Sequence, residues 1–148
     1  KGSYTDGWRY LEAAPADIDV SGDYTHVWGG YGTYVGGTGT GIGTGATNTS
    51  AIVAAYGSSD PYNHTGNYAA RLCDEYTYDG YDDWFLPSKD ELNQIYQHKG
   101  VIVDFLSTTY WSSSEYNSYF AWYQNFTNGY QDNGYQNSSG RIRAIRAF

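Results

Sequence analysis

The residues most able to do chemistry are acids, and their spacing is the first test. Asp17, Asp19, Ser21, Gly22 and Asp23 follow the opening order of a calcium loop. The twelfth position is Trp28, where calcium needs a bidentate glutamate, so no calcium is expected there. Asp79, Asp82 and Asp83 could gather a hard cation, but three carboxylates among glycine and tyrosine read as a solvated turn. His26, His64 and His98 have none of the close spacings that hold zinc. Cys73 has only Arg71 to activate it and reads as a buried, inert thiol. Residues 29–45 contain nine glycines, yet hold neither G-x-G-x-x-G nor Gly-Lys-Ser/Thr, so they read as a glycine-rich surface loop and not as a phosphate cradle. With no nucleophile elbow or acid–base pair besides, an enzyme is not expected, and neither is a cofactor or metal.

Chemistry of another kind lies near the C-terminus. Residues 116–140 hold five Tyr, five Asn, three Ser, three Gly and three Gln, with no Lys, Arg or Glu and a single Asp. Tyrosine offers a large, rigid contact area at little entropic cost, and Ser, Gly and Asn offer adaptable hydrogen bonds. This is the vocabulary of antibody paratopes.

The elements that must present such a surface follow from local pattern. Residues 8–14 (WRYLEAA) read as a short strand. Asn48 as N-cap and Gly57 as stop predict a helix over 49–56. A second helix is expected over 67–76, with Ala69, Leu72, Cys73 and Tyr76 on one face. Trp84-Phe85-Leu86 reads as a buried strand. Ser88 and Glu91 form a capping box that opens a third helix, running to about His98 with Leu92, Ile95 and Tyr96 inward. Tyr110–Ser112, Ala121–Phe126 and Arg141–Phe148 read as strands joined by polar and aromatic loops. The expected class is α+β, with helices packed on a twisted antiparallel sheet.

Composition narrows the function. The 148 residues carry a net charge of −8, which disfavours nucleic acid as a partner. No run is long and apolar enough for membrane insertion. One cysteine cannot make an internal disulfide. The absence of methionine suggests a processed protein or an excised fragment. The last eight residues hold three arginines and no acid, and are expected to pair back onto the acidic body as an ordinary surface strand.

GYDDWFLPSKDELNQIY (80–96), YWSSSE (110–115), AWYQNFTNG (121–129) and RIRAIRAF (141–148), with DGWRYLEAAP (6–15) and GIGTGATNTSAIV (41–53), resemble the Legionella collagen-like protein C-terminal domain family. That resemblance implies a C-type lectin-like fold spanning 1–148 as one domain. It omits the Glu-Pro-Asn and Trp-Asn-Asp signatures and the disulfides of calcium-dependent lectins. Some similar domains are the variable proteins of diversity-generating retroelements. In those, a reverse transcriptase miscopies adenines, and Asn codons become Tyr, Ser, Asp, Gly, Phe or Thr but never Lys, Glu, Met or Trp. Residues 111–148 fit such a variable region. By this resemblance Trp111, Trp122, Phe126 and Phe148 are buried scaffold. Tyr116, Asn117, Ser118, Tyr119, Phe120, Tyr123, Asn125, Asn128, Tyr130, Asp132, Asn133, Tyr135, Asn137 and Ser138 are the ligand-binding surface, exposed on one face. The implied partner is a protein or glycan receptor on a cell surface, met by an extracellular, cell-surface or virion-displayed protein. A fixed-sequence adhesin domain that binds glycans is the alternative.

Overall fold

A computed structural model describes residues 10–102 and 104–148. Trp8 and Arg9 of the expected first strand lie outside the described residues. The rest of it forms β1 (Leu11–Ala13). There follow β2 (His26–Val27), α1 (Gly45–Tyr56), α2 (Ala69–Asp74), α3 (Lys89–Gln97), β3 (Thr109–Glu115), β4 (Phe120–Asn125), β5 (Gln131–Tyr135), β6 (Ser139–Gly140) and β7 (Ile145–Ala147). The strands pair antiparallel as β1–β7, β2–β6 and β3–β4–β5, and α1 and α3 pack on β3. The class is α+β.

The helix with the clearest sequence signal forms where its signal lies. Ser88 Oγ accepts from Glu91 N at 3.3 Å, and Glu91 Oε2 accepts from Ser88 N at 2.8 Å. Leu92 and Ile95 are buried, and Tyr96 is half-buried against Phe126. Asp90 and Glu91 in the first turn also oppose the positive end of the helix dipole.

The first two helices differ from expectation. α1 begins at Gly45, and Asn48 lies inside it. The Asn48 side chain is not a cap: it exchanges hydrogen bonds with Gly39 N and O at 2.8 and 2.7 Å and donates to Ser113 Oγ. Tertiary bonding has overridden its local preference for a terminus. Gly57 ends the helix at φ +64, as a glycine stop should. α2 is shorter than 67–76 because Tyr68 is extended, bridging Val27 in parallel. Cys73 is fully buried, and burial pushes its thiol pKa upward.

Two clusters make the core. One gathers Trp28, Ile52, Tyr68, Cys73, Trp84, Trp111 and Ile142. The other gathers Phe85, Leu92, Ile95, Tyr110, Phe126 and Ile145. Within the second, Phe85 and Ile145 exchange reciprocal backbone bonds of 2.8 and 2.9 Å.

The C-terminal segment does fold back, but it is no surface strand. Ile142, Ala144 and Ile145 are fully buried, and Arg143 is 1% exposed. Asp17 meets two of the arginines: Arg143 Nε donates to Oδ1 at 2.7 Å and Arg141 Nη1 to Oδ2 at 3.0 Å. Tyr110 Oη also donates to Oδ2, at 2.9 Å. The residue that opens the calcium-like sequence is thus an internal counter-ion. Arg146 bonds Asp83 and Glu12, so Asp83 is likewise committed. Phe148 departs from the buried role given to it: it is 56% exposed and leans on Tyr10 at 5.7 Å.

Candidate binding surface

β3, β4 and β5 carry the expected surface, and their register decides which way each side chain points. Facing pairs in β4–β5 are Phe120 with Tyr135, Ala121 with Gly134, Trp122 with Asn133, Tyr123 with Asp132 and Gln124 with Gln131. Alternation therefore sends Phe120, Asn133 and Tyr135 to one face and Tyr123 and Asp132 to the other. The single exposed face expected from sequence is instead a set of loop tips and both sides of a thin sheet. β5 was expected to be loop. It is a strand of polar residues, a glycine and a tyrosine, with no apolar alternation to announce it.

None of the expected surface residues is buried. Tyr116, Tyr119, Asn128, Tyr130, Tyr135 and Ser138 are exposed, and Asn117, Ser118, Phe120, Tyr123, Asn125, Asp132, Asn133 and Asn137 are half-buried. Three asparagines are occupied in turns. Asn117 Oδ1 accepts from Tyr119 N and Phe120 N, Asn125 Oδ1 from Thr127 N, and Asn128 Oδ1 from Tyr130 N. Tyr123 leans edge-on against Trp111 at 6.1 Å. Burial, with Asp132 and Tyr130 nearby, raises its phenol pKa.

Between these residues the segment is anchored. Ala121 and Phe126 lie in the core, as does Trp111. Gln124 is fully buried: its Nε2 donates to Asn93 Oδ1 at 2.9 Å and Gly129 O at 3.1 Å, and its Oε1 accepts from Gln131. Gln131 Nε2 also reaches Lys89 O at 2.8 Å. Gln136, fully buried, donates to Asn117 O at 3.0 Å and Glu115 Oε1 at 3.4 Å. Trp122 is half-buried rather than buried. Lys89 Nζ sits 3.9 Å over its ring and Tyr116 packs against it edge-on.

The glycine run is more than a surface loop. Val35 N and Gly36 N both donate to the Glu115 carboxylate at 3.0 Å, and Gly43 N donates to Glu91 Oε1 at 2.8 Å. Burial raises the pKa of both glutamates, outweighing those hydrogen bonds. Gly30 N donates to Asp60 Oδ1, and Gly32 N to Ser118 O at 2.6 Å. Gly30 sits at φ +71 against the Tyr56 ring, where any side chain would collide. The loop is thereby fixed on either side of Tyr31. The Tyr31 ring lies 5.0 Å from Tyr62, 5.2 Å from Tyr119 and 6.0 Å from Tyr135, and Tyr135 lies 4.6 Å from Phe120. Sequence reading missed Tyr31 and Tyr62. A tyrosine between two glycines gives no sign of its distant neighbours.

One cavity opens on the surface and another lies apart from it. A cleft of about 310 Å³ opens beside Trp111, Tyr123, Asn133, Tyr135 and Ser138. Gly134 and Gly140 in its lining pack closely on Trp111, where a Cβ would come within 3.3 and 2.8 Å of the ring system. A second, of about 200 Å³, lies between β1 and α3 and touches none of the expected residues.

The pattern of fixed frame and open tips spans a region that a family model also recognises. The match, to the Lcl C-terminal domain, covers residues 42–146. The chain belongs to the Lcl C-terminal domain family. No curated protein matches it. The Lcl family is associated with surface-exposed collagen-like proteins, and membership fits a surface or binding domain. Among the described residues no helix is long and apolar enough to cross a membrane. The Lcl match takes in the whole of the β3–β5 surface and Tyr62, and begins at residue 42, after Tyr31.

Proposed function

We propose that this Lcl-family chain is a non-enzymatic ligand-binding protein that displays a diversified C-terminal surface to a protein or glycan receptor on a cell surface. In this reading the protein works outside the cell, anchored to a surface or carried on a virion, and its domain is of the C-type lectin type. One observation carries it. Miscopying the adenines of an Asn codon, AAC or AAT, leaves the third base a pyrimidine. The genetic code then admits neither Trp nor Gln. Within 116–140 those two types occur at Trp122, Gln124, Gln131 and Gln136. All four are tied into the frame: to Lys89, Asn93 and Glu115, and to one another. The positions proposed to vary are exposed or half-buried, where change costs less stability than in the core; Ala121 and Phe126, which such a mechanism could also write, are buried and belong to the frame.

Sequencing the coding segment for 111–148 from many isolates, with its neighbouring DNA, tests this. The expected result is a near-copy of the segment beside a reverse transcriptase gene. Substitutions should fall on the exposed and half-buried positions and spare Trp122, Gln124, Gln131 and Gln136. A segment that is invariant, with no second copy nearby, would refute diversification and leave the fixed-sequence, glycan-binding adhesin as the reading.

A further inference from the structure

We propose that the surface takes a basic protein segment, and that Tyr31, a residue outside the C-terminal segment, is a constant anchor of the site. The inference rests on the binding role proposed above and adds the chemistry of the partner.

Charge is the first ground. Among the described residues every cationic side chain is already engaged. Arg141 and Arg143 hold Asp17, Arg146 holds Asp83 and Glu12, and Arg71 pairs with Glu75. Lys99 donates to Phe126 O, and Lys89 covers the Trp122 ring. The three C-terminal arginines, which alone could have formed an anion-binding patch, are spent inside the fold. Asp132 has no ion-pair partner among the described residues; it pairs with Tyr123 in the β4–β5 ladder, on the other face of the sheet from Tyr135. On a chain of net −8, a polyanionic partner would be repelled and a basic one drawn in.

Ring chemistry is the second ground. Tyr62, Tyr119 and Tyr135 are 48%, 47% and 53% exposed, and all three rings surround Tyr31. The faces of tyrosine rings carry negative potential and attract guanidinium and ammonium groups. The patch is assembled from three separate stretches of chain. Gly30 and Gly32 are bonded on either side of Tyr31, so its ring is presented with little freedom to lose on binding. Residues 119 and 135 can then change identity around an anchor that does not.

Two labelled peptides, (Gly-Arg)₄ and (Gly-Glu)₄, with a neutral dextran oligosaccharide as a third probe, test the proposal by fluorescence polarisation. The arginine peptide should bind at least tenfold more tightly than the other two, and weaken as salt rises. Tyr31→Ala leaves the net charge unchanged and should weaken that binding about fivefold or more. Tyr34→Ala, on the same loop but outside the ring cluster and 66% exposed, should leave it unchanged. Circular dichroism confirms that each variant is folded; if Tyr31→Ala is not, Tyr31→Phe, which keeps the ring, must bind as the parent does. Equal binding of the two peptides, a preference for the dextran, or arginine binding indifferent to Tyr31 would each overturn the proposal. Failure here with a segment that does vary between isolates would remove only the partner's chemistry. Success with an invariant segment would remove only the diversification.

Discussion

Replacing Gln124 and replacing Tyr130 should have sharply different consequences, although the two sit six residues apart in the same segment. Gln124 is fully buried in β4 and makes three side-chain hydrogen bonds, to Asn93, Gly129 and Gln131. Gln124→Ala strips partners from Asn93 Oδ1, the Gly129 carbonyl and Gln131 Nε2, and leaves a gap between α3 and β4. A neutral hydrogen bond contributes about 1 kcal/mol net, and a buried polar group left without a partner costs about 1–3 kcal/mol. The expected loss is therefore about 2–4 kcal/mol. At about 2–4 °C per kcal/mol for a chain near this size, the melting temperature should fall by about 5–15 °C. Tyr130 is 62% exposed, and Tyr130→Ala should change stability by no more than about 0.5 kcal/mol. Urea denaturation followed by tryptophan fluorescence measures both. Equal losses, or a Gln124 loss below about 1 kcal/mol, would refute the division between frame and tip on which the functional reading stands.

Two further perturbations probe the frame. Asp17→Ala leaves Arg143 buried without its carboxylate and should cost about 3–5 kcal/mol in chemical denaturation; a loss below about 1 kcal/mol would show that the arginine's carbonyl bonds to Ala14 and Asp104 suffice. Glu115 has a folded-state pKa raised by burial above its ordinary 4.5, so its contribution to stability is fully present below that value and is lost as pH rises through the raised one. The stability of the parent relative to Glu115→Gln should therefore decline from about pH 4 toward about pH 7, measured as urea midpoints; a relative stability that climbs over this window would contradict the raised pKa.

What could be read from the sequence was what short-range rules govern. The Ser88–Glu91 capping box, the Gly57 stop and the inward Leu92 and Ile95 are decided within one or two helical turns. The composition of the tyrosine- and asparagine-rich segment points to its many exposed and half-buried positions, but not to Ala121, Gln124, Phe126 and Gln136, which anchor it in the interior. Asn48 misled because a fully satisfied internal amide and an N-cap look the same in sequence. β5 was missed because both of its faces are polar, so the alternation that marks a strand is absent. The family resemblance assigns Trp122 and Phe148 to the interior, yet Trp122 lies under Lys89 and Tyr116, and Phe148 against Tyr10 and Arg146 near the surface. Tyr31 was invisible for a different reason. Its role depends on ring contacts with residues 62, 119 and 135, and no local pattern encodes those separations.

The way the loops are held explains how such a surface can change without unfolding the chain. Three carboxylates fix the segments around it, and each grips backbone amides. Glu115 takes Val35 N and Gly36 N, Glu91 takes Gly43 N and Ser88 N, and Asp60 takes the amides of Gly30, Tyr62 and Asn63. An amide is present at every residue but proline, so these attachments do not depend on which side chain the loop position carries. The acceptors themselves stand in α3, at the end of β3 and beside Tyr62, outside the tyrosine- and asparagine-rich run. Asp17 acts differently, through side chains: it gathers Arg141 and Arg143 ahead of β7, and Tyr110 of β3, all outside the run. In a chain with one cysteine, and so no internal disulfide, buried carboxylates take over the cross-linking. Their cost in desolvation is visible in the raised pKa of Glu91 and Glu115, and it falls on the frame, where the sequence need not vary.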